Sequence, residues 1–275
     1  MTGYDVDAFD AFEAAGWGGK DASAYDALAG RVTARFADTL LDAVAAGPGT
    51  RLLDVATGPG YVAATAAARG ATAVGVDCSE AMLRFAREHA PEVEFVAGDA
   101  TALPFDDASF DAYVAAFLLL HLGRPDRAAA EAARVLASGG RLAFAVWDEP
   151  SRGRWLGVLL DAVAQAGASP PADLPDGPPL FRFADEEELS RLLREAGFVD
   201  VAVERHGFDL ELESADELWQ GLVDGTVRVG PLVRGQPEEM QRAIRERFDK
   251  LLGEYDREDG LAVSVAATIG VGTLP

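Results

Sequence analysis

Short apolar runs alternate with longer amphipathic stretches through the middle of the chain. The runs RLLDVA (51–56), TAVGVD (72–77), VEFVAG (93–98), FDAYVAA (110–116) and RLAFAVW (141–147) are almost continuously apolar and too short for helices. This is the pattern of strands in a parallel sheet covered on both faces. Between them, YVAATAAARG (61–70), SEAMLRFAREHAP (79–91) and DRAAAEAARVLASGG (126–140) read as helices. Ser79 is a candidate N-cap, and glycines stop the first and last of these segments. Strand–helix alternation with short connections predicts helical crossovers and an α/β, doubly wound sheet.

The flanks read differently. Residues 5–47 carry apolar positions at helical spacing up to Gly47-Pro48-Gly49. After Trp147 the alternation breaks. GASPPADLPDGPPLF (167–181) reads as a loop or flap, ADEEELSRLLREAGF (184–198) as a helix, and VDVAVERHGFDLEL (199–212) as a strand. A helical insertion over roughly 214–258 follows, then a β-branched last strand, GLAVSVAATIGVGTL. No internal boundary stands out, so the expectation is one domain over 1–275. It would comprise an N-terminal helical cap (1–47), a core (48–147), and the rest of the sheet (148–275) with cap insertions near 148–185 and 209–258.

Charge narrows the choice of partners. The formal net charge is −22, which repels phosphate backbones and anionic lipid surfaces and argues against nucleic acid or membrane partners. Cys78 is the sole cysteine, so no intrachain disulfide and no cysteine-based metal site is expected. The N-terminus has no basic segment leading into an apolar one, and no apolar stretch is long enough to span a bilayer, so the cytoplasm is the expected location.

In an open α/β sheet, ligands sit beyond the carboxyl ends of the strands. There the chain offers Asp54 to Gly60, Asp77-Cys78, Gly98-Asp99-Ala100 and Ala116-Phe117. Gly58-Pro59-Gly60-Tyr61-Val62-Ala63 satisfies the dinucleotide pattern G-x-G-x-x-[GA], and Asp77 follows where that pattern wants a ribose-binding acid. A diphosphate, however, needs free N–H groups and no nearby acid. Asp54 is expected at the mouth, and Pro59 has no N–H. A cationic ligand fits better. S-adenosylmethionine, with its sulfonium and ammonium groups, has a ribose diol suited to Asp77 and an adenine amino group suited to Asp99.

The series LLDVATGPG, VGVDCSEAML, VAGDATALPFDDASFDAYVAAFLLLHL and AARVLASGGRLAF resembles the class I S-adenosylmethionine-dependent methyltransferases. The closest look is to the quinone-biosynthesis C-methyltransferases and the small-molecule methyltransferases of secondary metabolism. The likeness is close over about residues 50–147 and looser beyond. It implies a Rossmann-like, seven-stranded, mostly parallel sheet with an antiparallel last strand. It also implies S-adenosylmethionine as cofactor and S-adenosylhomocysteine as product. By position, Asp54, Ala56, Gly58 and Gly60 would hold the methionine portion, and Asp77 the ribose. Cys78 and Met82 would pack near adenine, Asp99 and Ala100 would bond the ring, and Ala116 and Phe117 would lie beneath the sulfonium. Trp17 and Tyr25 would belong to an N-terminal segment closing over the cofactor, with Tyr25 in cofactor binding and Trp17, together with Phe117, toward the substrate. Two departures are Ala56, where the family's turn has its first glycine, and Ser138, where Pro-Gly-Gly is commoner.

Alternative roles remain beside these. Asp77 could be a plain helix-start acid and Asp99 simple turn chemistry, although their places after strands favour ligand binding. Met82 could be core filler. His121 could act as a base, orient substrate or be structural. Trp155 and Trp219 could line a substrate pocket or pack the cap. His89 reads as a charge complement at a helix C-terminus, and His206 has no partner visible in the sequence. The Asn/Asp-Pro-Pro-aromatic tetrapeptide of amine and amide methylation is absent after the fourth strand, as are magnesium-binding acids. The site mouth there is apolar, and the expected acceptor is a hydrophobic or aromatic small molecule, with no metal. Two other functions stay open: a non-methylating reaction such as cyclisation on the same fold, and an NAD-dependent dehydrogenase.

Overall fold

A computed structural model describes residues 3–19 and 21–275. Residues 1, 2 and 20 of the expected N-terminal cap lie outside the described residues. The strands are β1 (Arg51–Val55), β2 (Thr72–Asp77), β3 (Glu94–Ala97), β4 (Phe110–Ala116), β5 (Leu136–Trp147), β6 (Val199–Leu212), β7 (Asp256–Arg257) and β8 (Gly260–Thr273). They form one sheet in the order β3-β2-β1-β4-β5-β8-β6, with β7 paired to β8. The core strands are parallel. β8 enters between β5 and β6 and runs antiparallel to both. The expected doubly wound, mostly parallel sheet with an antiparallel last strand is therefore present. The short β7 makes the sheet eight-stranded rather than seven.

The helices are α1 (Val6–Gly18), α2 (Ala22–Tyr25), α3 (Arg31–Ala34), α4 (Ala37–Ala43), α5 (Tyr61–Ala68), α6 (Glu80–His89), α7 (Pro125–Val135), α8 (Arg154–Gln165), α9 (Glu186–Glu195), α10 (Ala215–Gly225), α11 (Gly230–Arg234) and α12 (Glu238–Leu252). A π-helical turn, Asp26–Gly30, joins α2 to α3. Two apolar clusters cover the two faces of the sheet. One gathers Leu40, Leu52, Val114, Trp155, Phe248 and Val265; the other gathers Leu53, Tyr113, Phe144, Leu189 and Phe198. Neighbouring residues Leu52 and Leu53 fall in opposite clusters, as strand alternation requires.

Caps form where the composition indicated. Ser79 accepts from the Met82 N–H at 3.4 Å, and Asp185 accepts from the Glu187 N–H at 2.9 Å. One segment differs from the expectation. α7 ends at Val135, and Leu136–Gly140 is already strand, with Leu136 paired to Phe110 across an irregularity in register. The glycine pair belongs to a strand entry rather than a helix stop. The segment after Trp147 holds α8, whose Trp155, Leu156, Val158, Leu159 and Ala162 are buried. This helix lies within the insertion expected near 148–185, ahead of the proline-rich tract 167–181.

Candidate active site

At the carboxyl ends of β1, β2 and β4 lies a cavity of about 320 Å3, within the range of small-molecule sites. Its first bank is the turn after β1. Thr57 N–H donates to the Val76 carbonyl at 2.9 Å, tying the turn to β2. Gly58 has φ +52° and Gly60 φ +85°, left-handed conformations that glycine adopts without a Cβ clash. A Cβ on Gly60 would also meet the Phe95 ring at 2.8 Å. Ala56 sits at φ +56°, so the position where the family prefers glycine carries real backbone strain here.

Asp54 is placed differently from the expectation. It is 1% exposed and does not line the cavity. Its Oδ2 accepts from Thr57 Oγ1 at 2.6 Å and from the Ala63 N–H at 3.0 Å, so it braces the turn from beneath. Burial pushes its carboxyl up to about 7 against those two stabilising bonds. The charge attributed to Asp54 at the mouth is thus removed from the cavity. Gly60 likewise stays out of the lining, while Ala56 and Gly58 are in it.

Asp77 lies in the lining at the end of β2. Its Oδ2 accepts from the Gly58 N–H and its Oδ1 from the Ser79 N–H, both at 2.8 Å. Burial raises its carboxyl above the usual range. Each oxygen keeps acceptor capacity for a diol. The Gly58 N–H that a diphosphate would require is already consumed by Asp77, and the Ala63 N–H by Asp54. This arrangement opposes an anionic ligand. Cys78 and Asp99 are exposed at the lip, with Met82 and Ala100 beside them in the lining. Asp99 Oδ1 accepts from Thr101 N–H at 2.7 Å and Thr101 Oγ1 at 2.8 Å. Although its residue surface is exposed, the Cys78 thiol is partly desolvated against the cavity wall, and this together with the neighbouring Asp77 pushes it up to about 11, away from the reactive thiolate. These residues fit S-adenosylmethionine: an acid for the diol, a second acid at the lip, and glycine backbone for close approach.

Ala116 and Phe117 continue the lining past β4. Phe117 has φ +60° and stacks on Trp147 with ring centroids 3.6 Å apart. Trp155 on α8 meets Trp147 edge-on at 4.8 Å, and Leu156 and Leu180 complete an apolar end. Trp219 is not part of this wall; it packs on Phe248 at 5.2 Å. His89 lies on the surface, stacked on Phe85, and His206 sits 3.7 Å from Glu204. Neither lines the cavity.

The third bank is α1. Trp17 lines the cavity and meets Tyr25 at 5.5 Å and His121 at 5.0 Å, both edge-on. Its carbonyl accepts from Ser79 Oγ at 2.9 Å. Tyr25 is also in the lining, with its hydroxyl 3.5 Å from Thr33 Oγ1, and burial pushes its phenol up to about 12. His121 lines the cavity with Nδ1 2.8 Å from Glu13 Oε2. Glu13 and Arg228 were missed in the sequence. Phe9, Glu13 and Trp17 follow one another at i+4, so a carboxylate between two aromatics on a buried stripe was the available signal. Arg228 donates to the Leu120 and Pro178 carbonyls at 2.8 Å, and its Nε lies 3.6 Å from Glu13 Oε1. Among the described residues, no group of three or more His, Cys, Asp or Glu could hold a metal, and no helix is long and apolar enough to cross a membrane.

A methyltransferase-domain family model matches residues 53–144. A demethylmenaquinone methyltransferase of Renibacterium salmoninarum is 36% identical over 185 residues, covering 64% of this chain and 78% of that protein. A malonyl-[acyl-carrier protein] O-methyltransferase of Methylococcus capsulatus is 30% identical, covering 82% and 78%. Among solved structures, the [4+2]-cyclase SpnF aligns with a TM-score of 0.54 and 25% identity over 88% of this chain and 81% of that one.

Proposed function

Because this chain belongs to the S-adenosylmethionine-dependent methyltransferases, we propose that it methylates a small apolar or aromatic molecule by in-line displacement, with His121 as general base. The observation that carries this reading is the continuity of one cavity. It runs from the acid-lined bank at Asp77 and Asp99 to the aromatic wall of Phe117, Trp147 and Trp155. S-adenosylmethionine supplies an electrophilic methyl group when bound. Asp77 would hold its ribose, Asp99 and Ala100 its adenine, and Ala56 and Gly58 its methionine portion.

The chain's own task is then alignment and exclusion of water. The stacked Phe117–Trp147 pair offers a flat apolar surface for a planar acceptor. His121 borders the same cavity and accepts a proton from a hydroxyl or an acidified carbon as the acceptor becomes a nucleophile. The quinone named in the Renibacterium protein is an acceptor of this planar, apolar class. A second reading draws on the likeness to SpnF: a cyclisation in the same cavity, with the methyl group untouched.

Incubation with methyl-labelled S-adenosylmethionine and a panel of hydroquinones, phenols and polar amines separates the two. Label is expected in the planar hydroxylated acceptors and in none of the amines. Retention of all label on the cofactor while an acceptor is converted would overturn methyl transfer in favour of cyclisation.

A further inference from the structure

Glu13 is an unusual residue for the buried stripe of a short helix. Its side chain is 4% exposed, and its Oε1 has no hydrogen bond. Burying a carboxylate costs free energy unless it is paired and hydrogen-bonded. Two groups face it, one from each side of the cavity mouth. His121 Nδ1 lies 2.8 Å from Oε2, and the half-buried Arg228 brings Nε to 3.6 Å from Oε1. Arg228 itself is fixed by the Leu120 and Pro178 carbonyls and sits over the Phe9 ring at 5.1 Å. The carboxylate therefore sits between two groups, with the Arg228 guanidinium on its Oε1 side and the His121 imidazole hydrogen-bonded on its Oε2 side.

A carboxylate accepts, so the shared proton belongs to Nδ1 of His121. A hydrogen bond at one ring nitrogen decides the tautomer of the other. Nε2 has no protein partner among the described residues, and the ring lies in the cavity lining with the Trp17 edge against it. Nε2 thus carries the lone pair that a base requires. This is the nucleophile–base–orienter geometry in which the third group acts only through the second.

We propose that Glu13 is the positioning residue for His121, holding it in the Nδ1–H tautomer, so that the base is competent only while α1 is seated on the cavity. The inference rests on reading His121 as the base. Glu13 borders the cavity beside His121, and in this scheme it acts through the imidazole rather than on the acceptor. It lies on α1, whereas His121 follows β4 and Arg228 precedes α11, so the constellation exists only when three separate segments meet.

The test uses the full-length 15N-labelled protein, whose histidines are only His89, His121 and His206. The His121→Gln variant identifies the His121 signals. Long-range 15N–1H correlations are expected to place the proton on Nδ1 in the native protein. In Glu13→Leu it should move predominantly to Nε2. Glu13→Gln, whose amide oxygen still accepts, should restore most of the native tautomer. With an acceptor that turns over, Glu13→Leu should lower kcat ten- to a hundredfold while the acceptor KM stays within threefold, and Glu13→Gln should fall between. S-adenosylhomocysteine calorimetry on each variant checks that the fold and cofactor bank persist. An unchanged tautomer in Glu13→Leu, or a raised KM with an unaltered kcat, overturns the proposal. If the native protein transfers no methyl group, the base assignment fails on its own, and the tautomer arm still decides whether Glu13 orients His121.

Discussion

Ala56 and Asp54 show how much of this site is decided by single backbone and side-chain positions. Ala56 holds a left-handed φ of +56° directly in the turn that approaches the ligand. Such a conformation costs an L-residue about 1–2 kcal/mol, and glycine's extra freedom in the unfolded chain returns part of that. Ala56→Gly should therefore stabilise the protein by roughly 0.5–1 kcal/mol, read from the denaturant midpoint. A destabilised variant would mean that the Ala56 methyl packs usefully. Asp54 makes a pH prediction. Its carboxyl stands at about 7 in the folded protein against 3.8 for the free group. Between those values the native state holds a proton that the unfolded state has released. Stability should fall as pH rises from about 4 to about 7, by on the order of 4 kcal/mol at most, and level off above. Asp77 is shifted the same way and adds to the slope. Asp54→Asn mimics the protonated form and should flatten the curve between pH 5 and 7, measured by urea unfolding at both values. An unchanged slope would remove Asp54 from the account.

At the scale of elements, the cofactor bank was legible because it obeys a local rule. A strand, a glycine turn and a helix start follow one another in the sequence, and the ligand-facing residues are those just beyond each strand. Asp77, Asp99 and Phe117 could be found that way. Glu13 could not, because its meaning depends on His121, 108 positions away. α8 fell within the insertion expected near 148–185 without being delimited there: its apolar face is continuous, but its neighbours are proline-rich loops that blur an element's limits. The α7–β5 junction misled because Gly139-Gly140 reads as a helix stop, whereas pairing with β4 carries the strand back to Leu136. α8 has an energetic consequence. Trp155 is 1% exposed and edge-packed on Trp147. Trp155→Ala should cost about 3–5 kcal/mol and weaken acceptor binding, while S-adenosylhomocysteine affinity stays within twofold. Thermal unfolding and calorimetry give the two readings. Weakened cofactor binding instead would place the tryptophan's influence on the wrong bank.

Across the whole molecule, the two apolar clusters run along both faces of the sheet and include residues from Leu28 in the π-helical turn to β8, yet neither contains a residue of α1. That helix is held largely by polar tethers: Asp10 accepts from the Gly123 N–H at 2.7 Å, Asp7 pairs with Arg124 at 2.6 Å, Glu13 meets His121, and the Trp17 carbonyl meets Ser79. Phe9 is its main apolar anchor. A segment so attached can detach at a fraction of the global unfolding free energy. Its backbone amides should exchange with deuterium at least a hundredfold faster than those of β1 and β4. S-adenosylhomocysteine should slow them, because the ligand binds the seated form. Equal protection of α1 and the central strands would refute this. If α1 exchanges in this way, the traffic of molecules through the cavity has a timekeeper: the frequency at which the helix opens would cap the number of turnovers per second however fast the chemistry runs.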